Sequence, residues 1–379
     1  MRKPHVLFLF SDTGGGHRSA TEAIIEAIGL EFGDQMTTEM VDVFRDYAPV
    51  PFNKMPELYP YLVKAPQLWK AGFYISDGRK RAQVLASALR PYAARAARRL
   101  IENHPSDVIV GTHMVANFVS LWALGRGRKQ PFITVVTDAV TTHALWFDHR
   151  ADLILVPTEY ARQRAITYAM PPHKVKVVGQ PVSERYCSPI GDKRALRQKL
   201  GWPVDKPIVL LVGGGEGMGP LAKTAYAIDA SGLDVALIAV AGRNTRLQAE
   251  LETYSWHIPT RIYGFTRDMP DFMRAADVLV TKAGPGTIAE ALIAGLPMIL
   301  YARLPGQEDG NVTFVQKERV GVWAPRPARV VNTLRSWIEN PALREQFVEN
   351  CRRAARPEAS RLIARFIGAQ VGLCEEPQV

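Results

Sequence analysis

Short apolar runs recur along this chain, each bounded by glycine or polar turns and followed by a longer segment with apolar residues three and four apart. In the first half the runs lie at 5–10, 38–43, 107–111, 132–136 and 152–156, written in Val, Ile, Leu and Phe. Helix-period stretches at 17–31, 81–102, 114–125 and 159–169 separate them, and Val175–Val178 adds a short strand. Strands without a polar face, alternating with helices, predict a parallel sheet covered on both sides. The pattern breaks at about 182–205 into a polar, basic stretch with Pro189 and Gly191, which reads as a linker. It restarts at Ile208, with strands at 208–212, 235–240, 261–263, 278–281 and 298–301 and helices at 220–231, 245–254 and 287–294. The arginine-rich end, about 328–371, is predicted helical and fits against either domain. The expected fold is therefore α/β, with two Rossmann-like, doubly wound domains facing a central cleft. Residues 1–185 form the first, 186–340 the second, and 341–379 a C-terminal helical segment.

Three of these strands run into glycines and then into a helix. Val6–Phe10 leads to Ser11-Asp12-Thr13-Gly14-Gly15-Gly16-His17; Ile208–Val212 leads to Gly213-Gly214-Gly215-Glu216-Gly217-Met218-Gly219-Pro220; Val278–Thr281 leads to Lys282-Ala283-Gly284-Pro285-Gly286-Thr287. Free backbone N–H groups at a helix start make an anion or sugar site. The Gly213–Gly219 loop lacks the GK[ST] ending of a Walker loop and the GxGxxG spacing of a dinucleotide site, so it reads as a diphosphate cradle or a structural tight turn.

A net charge of +10 favours acidic partners such as phosphates or anionic lipid surfaces. The 379 residues are comfortable for two domains. Cys187, Cys351 and Cys374 lie far apart with no CxxC pair, which argues against a zinc knuckle or a disulfide framework and fits a reducing cytoplasm. The apolar run near the N-terminus is too short for a signal-peptide core, and no run is long enough to cross a membrane.

Segment 44–80 departs from this alternation. Aromatic residues and prolines, among them Phe44, Pro49, Phe52, Pro56, Trp69 and Phe73, interleave with Arg45, Lys54, Lys64 and Lys70, and Arg79-Lys80-Arg81 follows. The prolines forbid one long helix. The segment reads as a proline-broken cap over the sheet or as an amphipathic insertion into a membrane interface. A nucleic-acid stacking patch has a similar composition, but no RNA or DNA module accompanies it, and no nucleic-acid partner is expected.

Individual residues add candidate chemistry. His17 opens a helix and, as a neutral imidazole, could take a proton from a hydroxyl. Asp12 could orient it or act as the base itself. Thr287 is a candidate helix cap, and Glu290, placed on the first turn, could accept hydrogen bonds from a ribose diol. Gln307 and Glu308 sit in a polar loop suited to sugar hydroxyls. Each of these also has an ordinary structural reading as a cap, a surface acid or a solvated turn.

Four of these segments together, Ser11–Arg18, Gly213–Pro220, Thr281–Glu290 and Pro305–Glu308, closely resemble the monogalactosyldiacylglycerol synthase family. That family includes bacterial diacylglycerol glucosyltransferases and is more distantly similar to the glycosyltransferase that forms lipid II. Pro51–Lys54, Thr137-Asp138 with His143 and Trp146-Phe147, and Val156–Glu159 extend the resemblance over nearly the whole chain. It implies a GT-B fold and an inverting transfer of galactose or glucose from a UDP-sugar to diacylglycerol, with no metal or other cofactor. It implies His17 as base with Asp12 beside it. On the donor side, Gly214, Gly215, Glu216, Gly217 and Met218, with Gly284, Pro285, Gly286 and Thr287, would hold the diphosphate. Glu290 would hold the ribose, Phe265 would meet uracil through its backbone, Arg243 and Asn244 would lie near the nucleotide, and Gln307 and Glu308 would hold the sugar. Acceptor and membrane contacts would come from Phe52, Trp69, Phe73, Arg79, Lys80, Arg81, His143 and Trp146.

The expected location is cytoplasmic and peripheral to the cell membrane, with anionic lipids as partners. The chain shows no plastid transit pattern, which favours a bacterial-type form. Asp309 and Asn311–Phe314 depart from the pattern of relatives beside the sugar loop, which leaves galactose against glucose open. A UDP-sugar epimerase of the same fold, a different acceptor and a catalytically silent lipid- or nucleotide-binding protein are the competing expectations.

Overall fold

The computed structural model describes residues 2–378 except 14, 51, 63, 64, 126, 127 and 190. Gly14, Pro51, Lys64 and the Arg79 side chain, named above, lie outside the described residues. The chain forms two compact units. One contains residues 1–184, 305–307 and 357–379, the other 185–304 and 308–356.

The first unit carries strands β1 (His5–Phe10), β2 (Thr37–Asp42), β3 (Val108–Gly111), β4 (Phe132–Val135), β5 (Leu153–Val156) and β6 (Val175–Val177). They pair in parallel in the order β2-β1-β3-β4-β5-β6. Alternate residues of β1 go to opposite faces: Val6 and Phe8 pack with Ile24, Ile28 and Phe366, whereas Leu7 and Leu9 pack with Leu100, Leu121 and Trp146. Both faces are dry, which is why these strands read as continuous apolar runs.

The second unit repeats the plan with β7 (Ile208–Val212), β8 (Ala236–Val240), β9 (Thr260–Tyr263), β10 (Val278–Lys282), β11 (Met298–Ala302) and β12 (Gly321–Trp323). Their order is β12-β11-β10-β7-β8-β9, again parallel. In both sheets the winding reverses beside the first strand, between β1 and β3 and between β7 and β10. Ligands of open α/β sheets bind at the carboxyl ends of strands at such a reversal. The three glycine turns follow β1, β7 and β10, so the topology places each of them at a reversal.

Two expectations about connections are corrected. Much of the stretch expected as a linker is ordered, with helices Glu184–Cys187 and Lys193–Lys199. The buried Arg197 donates to the Ala275 carbonyl at 2.9 Å and to Asp277 at 2.6 Å, locking this stretch to the second unit. The helical end also divides. Helices Pro327–Glu339 and Pro341–Ala354 belong to the second unit, while Ala359–Gln370 packs on Gly16–Phe32 of the first. Arg365 there reaches Glu31 at 2.6 Å.

Candidate active site

In the first unit, Gly15 adopts φ +76°, a left-handed conformation that glycine enters without strain, and the chain turns from β1 into the helix Gly16–Phe32. This puts His17 in the first turn, at the end of β1. Its Nδ1 lies 2.9 Å from the Thr112 carbonyl oxygen, just past β3, and 3.0 Å from Thr137 Oγ1, just past β4. A carbonyl only accepts, so Nδ1 carries the proton and donates, and the lone pair of the neutral ring sits on Nε2. His113 packs edge-on against the His17 ring at 4.6 Å, and Trp146 lies 6.2 Å away. Burial lowers the His17 pKa, opposed by the negative charge of Asp138 and by the Thr112 hydrogen bond.

His113 is buried and held well below the usual histidine range by desolvation, with the neighbouring His17 as the lesser cause. Its Nδ1 accepts the Ala116 N–H, so Nε2–H points to Thr13 Oγ1 at 3.1 Å. Asp138, buried and unremarked among the candidate bases, accepts from Trp146 Nε1 at 2.6 Å and from Gln307 Nε2 at 3.0 Å.

Asp12 is placed differently from expectation. Its Oδ2 accepts two bonds from Arg18, at 3.0 and 3.1 Å, and its own N–H donates to Asp42. The carboxylate that bears on His17 is Asp138, and the orienting contacts come from Thr112 and Thr137.

In the second unit the loop after β7 is tied by its own amides: Met218 N–H donates to the Gly213 carbonyl at 2.7 Å and Gly217 N–H to Gly214 at 3.1 Å. Gly217 has φ +59°, and a Cβ there would stand 2.3 Å from the Ala241 carbonyl, so only glycine fits. The loop after β10 starts the helix Pro285–Ile293. Its cap is Gly284, with no side-chain capping bond and proline at the first position. Thr287 is thus the third helical residue rather than the cap. Gly286 and Thr287 lie in the first turn, where main-chain N–H groups have no partner within the helix, an anion-binding arrangement.

Lys282 joins the two loops, a role its place at a strand end did not signal. A Cβ on Gly214 would lie 3.0 Å from Lys282 Cε, and one on Gly284 3.0 Å from Nζ. The ammonium is therefore close to both glycine turns. It bonds to Glu308 Oε1 at 2.6 Å, and Glu308 Oε2 accepts the Leu304 N–H at 2.7 Å. Glu308 is buried with both oxygens engaged, so here it organises this loop, and a sugar hydroxyl would share it with Lys282 and the Leu304 N–H.

Glu290 falls on the second turn of its helix, not the first. It is half-buried; desolvation raises its carboxyl pKa to about 7, and a hydrogen bond with the Tyr186 hydroxyl opposes that rise. Arg243 pairs with Glu216 at 2.9 Å and stacks 4.6 Å from the centre of the exposed Phe265 ring. Asn244 caps the helix Thr245–Glu252 by accepting the Leu247 N–H.

The sequence profile of the monogalactosyldiacylglycerol (MGDG) synthase family matches residues 17–182, and the glycosyltransferase family 28 C-terminal domain matches residues 208–322. Monogalactosyldiacylglycerol synthase 3 of Arabidopsis thaliana is 37% identical over 365 residues, 93% of this chain and 78% of that protein. The chain belongs to the monogalactosyldiacylglycerol synthase family.

Its fold is GT-B. MurG of Acinetobacter baumannii superposes with a TM-score of 0.61 at 16% identity, over 96% of this chain and 99% of that one. The MnaA–UDP co-structure of S. aureus superposes with a TM-score of 0.65 at 14% identity, over 99% of both chains.

Within this MGDG synthase-family chain, the residues expected at an acceptor or membrane surface separate into two sets. Trp146, His143 and Phe73 are buried, which corrects their assignment to a membrane surface. His143 accepts the Leu145 N–H at Nδ1 and donates from Nε2 to Ser76 at 3.1 Å. Trp69 is half-buried. Phe52, Lys80 and Arg81 are exposed, as is Tyr74 of the same aromatic segment, and with them Leu68, Ile75 and Val84, which the sequence reading passed over. Among the described residues no helix is long and apolar enough to cross a membrane.

Proposed function

We propose that this protein transfers a hexose from a UDP-sugar to the free hydroxyl of diacylglycerol, with inversion at the anomeric carbon. The observation that carries the reading is His17: a neutral imidazole whose proton is pinned on Nδ1 by Thr112, with a basic Nε2 at the carboxyl ends of the strands. Family membership supports the substrate class, because the Arabidopsis relative bears the name monogalactosyldiacylglycerol synthase.

In the proposed step the acceptor oxygen forms its bond to the anomeric carbon as the bond from that carbon to the diphosphate oxygen breaks. The acceptor proton passes to His17 Nε2, and Asp138 stabilises the imidazolium that results. Negative charge grows on the leaving UDP. The N-terminus of helix Pro285–Ile293 and the Lys282 ammonium would meet it, and these groups can take that charge without a divalent ion. Glu290 would accept from the ribose diol. Gln307 would remain the candidate for a sugar hydroxyl, exchanging its bond with Asp138 for the ligand. The location that fits is the face of a membrane, through the exposed apolar and cationic residues between Phe52 and Val84.

The test is direct. The protein is incubated with labelled UDP-galactose or UDP-glucose and diacylglycerol vesicles, and the lipid extract is analysed. Label in a β-linked hexosyl lipid is the expected result, and competition between the two donors names the sugar. Label only in free hexose or in an epimerised nucleotide sugar would overturn the reading.

A further inference from the structure

The first unit contains an apolar cavity of about 240 Å³ that the proposed chemistry does not use. Its walls are Phe44 and Tyr47 of helix Val43–Tyr47, Met55 of helix Met55–Leu62, Ala96 of the long helix Arg79–Asn103, and Val115 and Val119 of helix Met114–Leu124. Tyr47 brings a hydroxyl to this lining, and that hydroxyl bonds to His104 Nε2 at 2.7 Å. With that hydroxyl engaged and the rest of the lining apolar, the cavity is suited to hydrocarbon. It is below the size of a typical drug-like site, so it takes a segment of a hydrocarbon chain rather than a whole lipid.

The cavity adjoins the base. The Phe44 ring, in its wall, contacts His113 edge-on at 5.5 Å, and His113 contacts His17 at 4.6 Å. Phe44, and with it the cavity wall, thus stands one imidazole ring away from His17. Phe52 also lines the cavity and is exposed, so the apolar lining extends to the surface there.

We infer that this cavity receives one acyl tail of the lipid acceptor, drawing a segment of that tail out of the membrane and so setting the glycerol against His17. The inference rests on the acceptor reading above and adds a chain-length ruler to it. The second tail stays in the lipid layer.

The experiment uses the full chain with a series of diacylglycerols whose acyl groups lengthen from four to twelve carbons, presented below their aggregation limits or in fixed detergent. In the wild type, kcat/KM should rise by about fourfold per added methylene and then level once the cavity is filled. Ala96→Phe fills the cavity, and its plateau should come several carbons earlier, with UDP affinity by calorimetry unchanged. Ala96→Leu, a smaller intrusion, should shift the plateau less and serves if the larger side chain unfolds the protein. Binding of cis-parinaric acid, read by its fluorescence, should weaken at least tenfold in Ala96→Phe. Transfer with the same chain-length profile in wild type and both variants overturns the acyl-tail assignment and leaves the transferase reading intact. Loss of parinaric acid binding in the variant, with no transfer by the wild type to any glyceride, overturns the transferase reading and keeps the cavity as an acyl site.

Discussion

His17 Nδ1 stands 2.9 Å from the main-chain oxygen of Thr112, and that single contact decides which imidazole nitrogen is basic. Nε2 is then the atom through which deprotonation must run. His17→Ala should lower hexosyl transfer by about 10²–10⁴-fold, the usual contribution of a positioned general base, with UDP affinity retained. The pH profile carries a sign. Burial lowers the pKa, so the free base persists below the ordinary value of 6.5, and the acid limb of kcat/KM should fall below that pH. A limb above pH 6.5, or loss of UDP affinity in His17→Ala, would move His17 out of this role.

Asp138 acts on the same imidazole from a buried position, and its charge raises the pKa that burial lowers. Asp138→Asn keeps an acceptor for Trp146 Nε1 but removes the charge. The acid limb should move to lower pH, because the imidazolium loses its negative neighbour. Turnover should fall by about tenfold, the equivalent of about 1.4 kcal/mol of lost transition-state stabilisation. A drop in turnover with no movement of the limb would reduce Asp138 to a packing role.

The two-sheet plan was legible because parallel strands buried on both faces leave an unbroken apolar signature, and Val6–Phe10 and Ile208–Val212 both carry it. The glycine turns were legible for a related reason: Gly15 and Gly217 occupy backbone conformations that exclude side chains. Side-chain partners were not legible. Asp12 is near His17 in sequence yet pairs with Arg18, because a helix turn carries Arg18 back over it. Asp138 and Thr112 reach His17 only through neighbouring strand ends, across separations that no local spacing encodes. Lys282 and Glu308 neutralise each other across 26 positions, a pairing that gives the expected sugar ligand a structural partner no local spacing announces. Segment 44–80 mixed both cases: its prolines forecast broken helices, while its aromatics gave no sign of which would be buried.

Glu290 offers a second pH handle. Desolvation raises its pKa to about 7, so the carboxyl is partly protonated near neutrality. A ribose diol donates to the ionised form, so binding favours proton release. Affinity for UDP-glucose should therefore be full above pH 7 and fall as pH drops below it, approaching tenfold per unit for one proton. Glu290→Gln should bind more weakly at pH 8 and show a flat profile. Calorimetry in two buffers of different ionisation enthalpy would count the proton. No proton release at pH 6.5 would remove Glu290 from the ribose.

Lys282 and Glu308 form a largely buried pair at 2.6 Å. Lys282→Met leaves the Glu308 charge buried and uncompensated, which should cost about 2–4 kcal/mol of stability and weaken UDP binding through loss of the cation. Glu308→Gln separates the two readings of this residue. It frees the Lys282 charge for the diphosphate, so UDP affinity should hold or rise while the melting temperature falls. A selective loss of affinity for UDP-hexose over UDP would restore Glu308 as a ligand for the sugar.

Helix Pro66–Ser76 has one face fixed and one open. Phe73 is buried, Ser76 bonds to His143, and Asp77 beyond the helix end accepts from the Ala144 N–H at 2.9 Å, from Tyr168 at 3.0 Å and from Arg164 at 2.5 Å. With that side tied down, Leu68 and Ile75, seven residues apart, stand 76% and 71% exposed on one stripe of the helix surface, and Lys70 is exposed elsewhere on the same helix. Burying such side chains in a lipid interface returns about 1.5–3 kcal/mol each, and nearby lysines add attraction to anionic headgroups. Ile75→Ser should therefore weaken sedimentation with phosphatidylglycerol vesicles by at least about tenfold while leaving the melting temperature unchanged, as expected for an exposed site. Lys70→Glu with Lys80→Glu should weaken binding at low salt and flatten its salt dependence, because the interaction they supply is screened within about 10 Å at 0.1 M salt. If Ile75→Ser binds vesicles like the wild type, the open face of this helix is not the one that meets lipid.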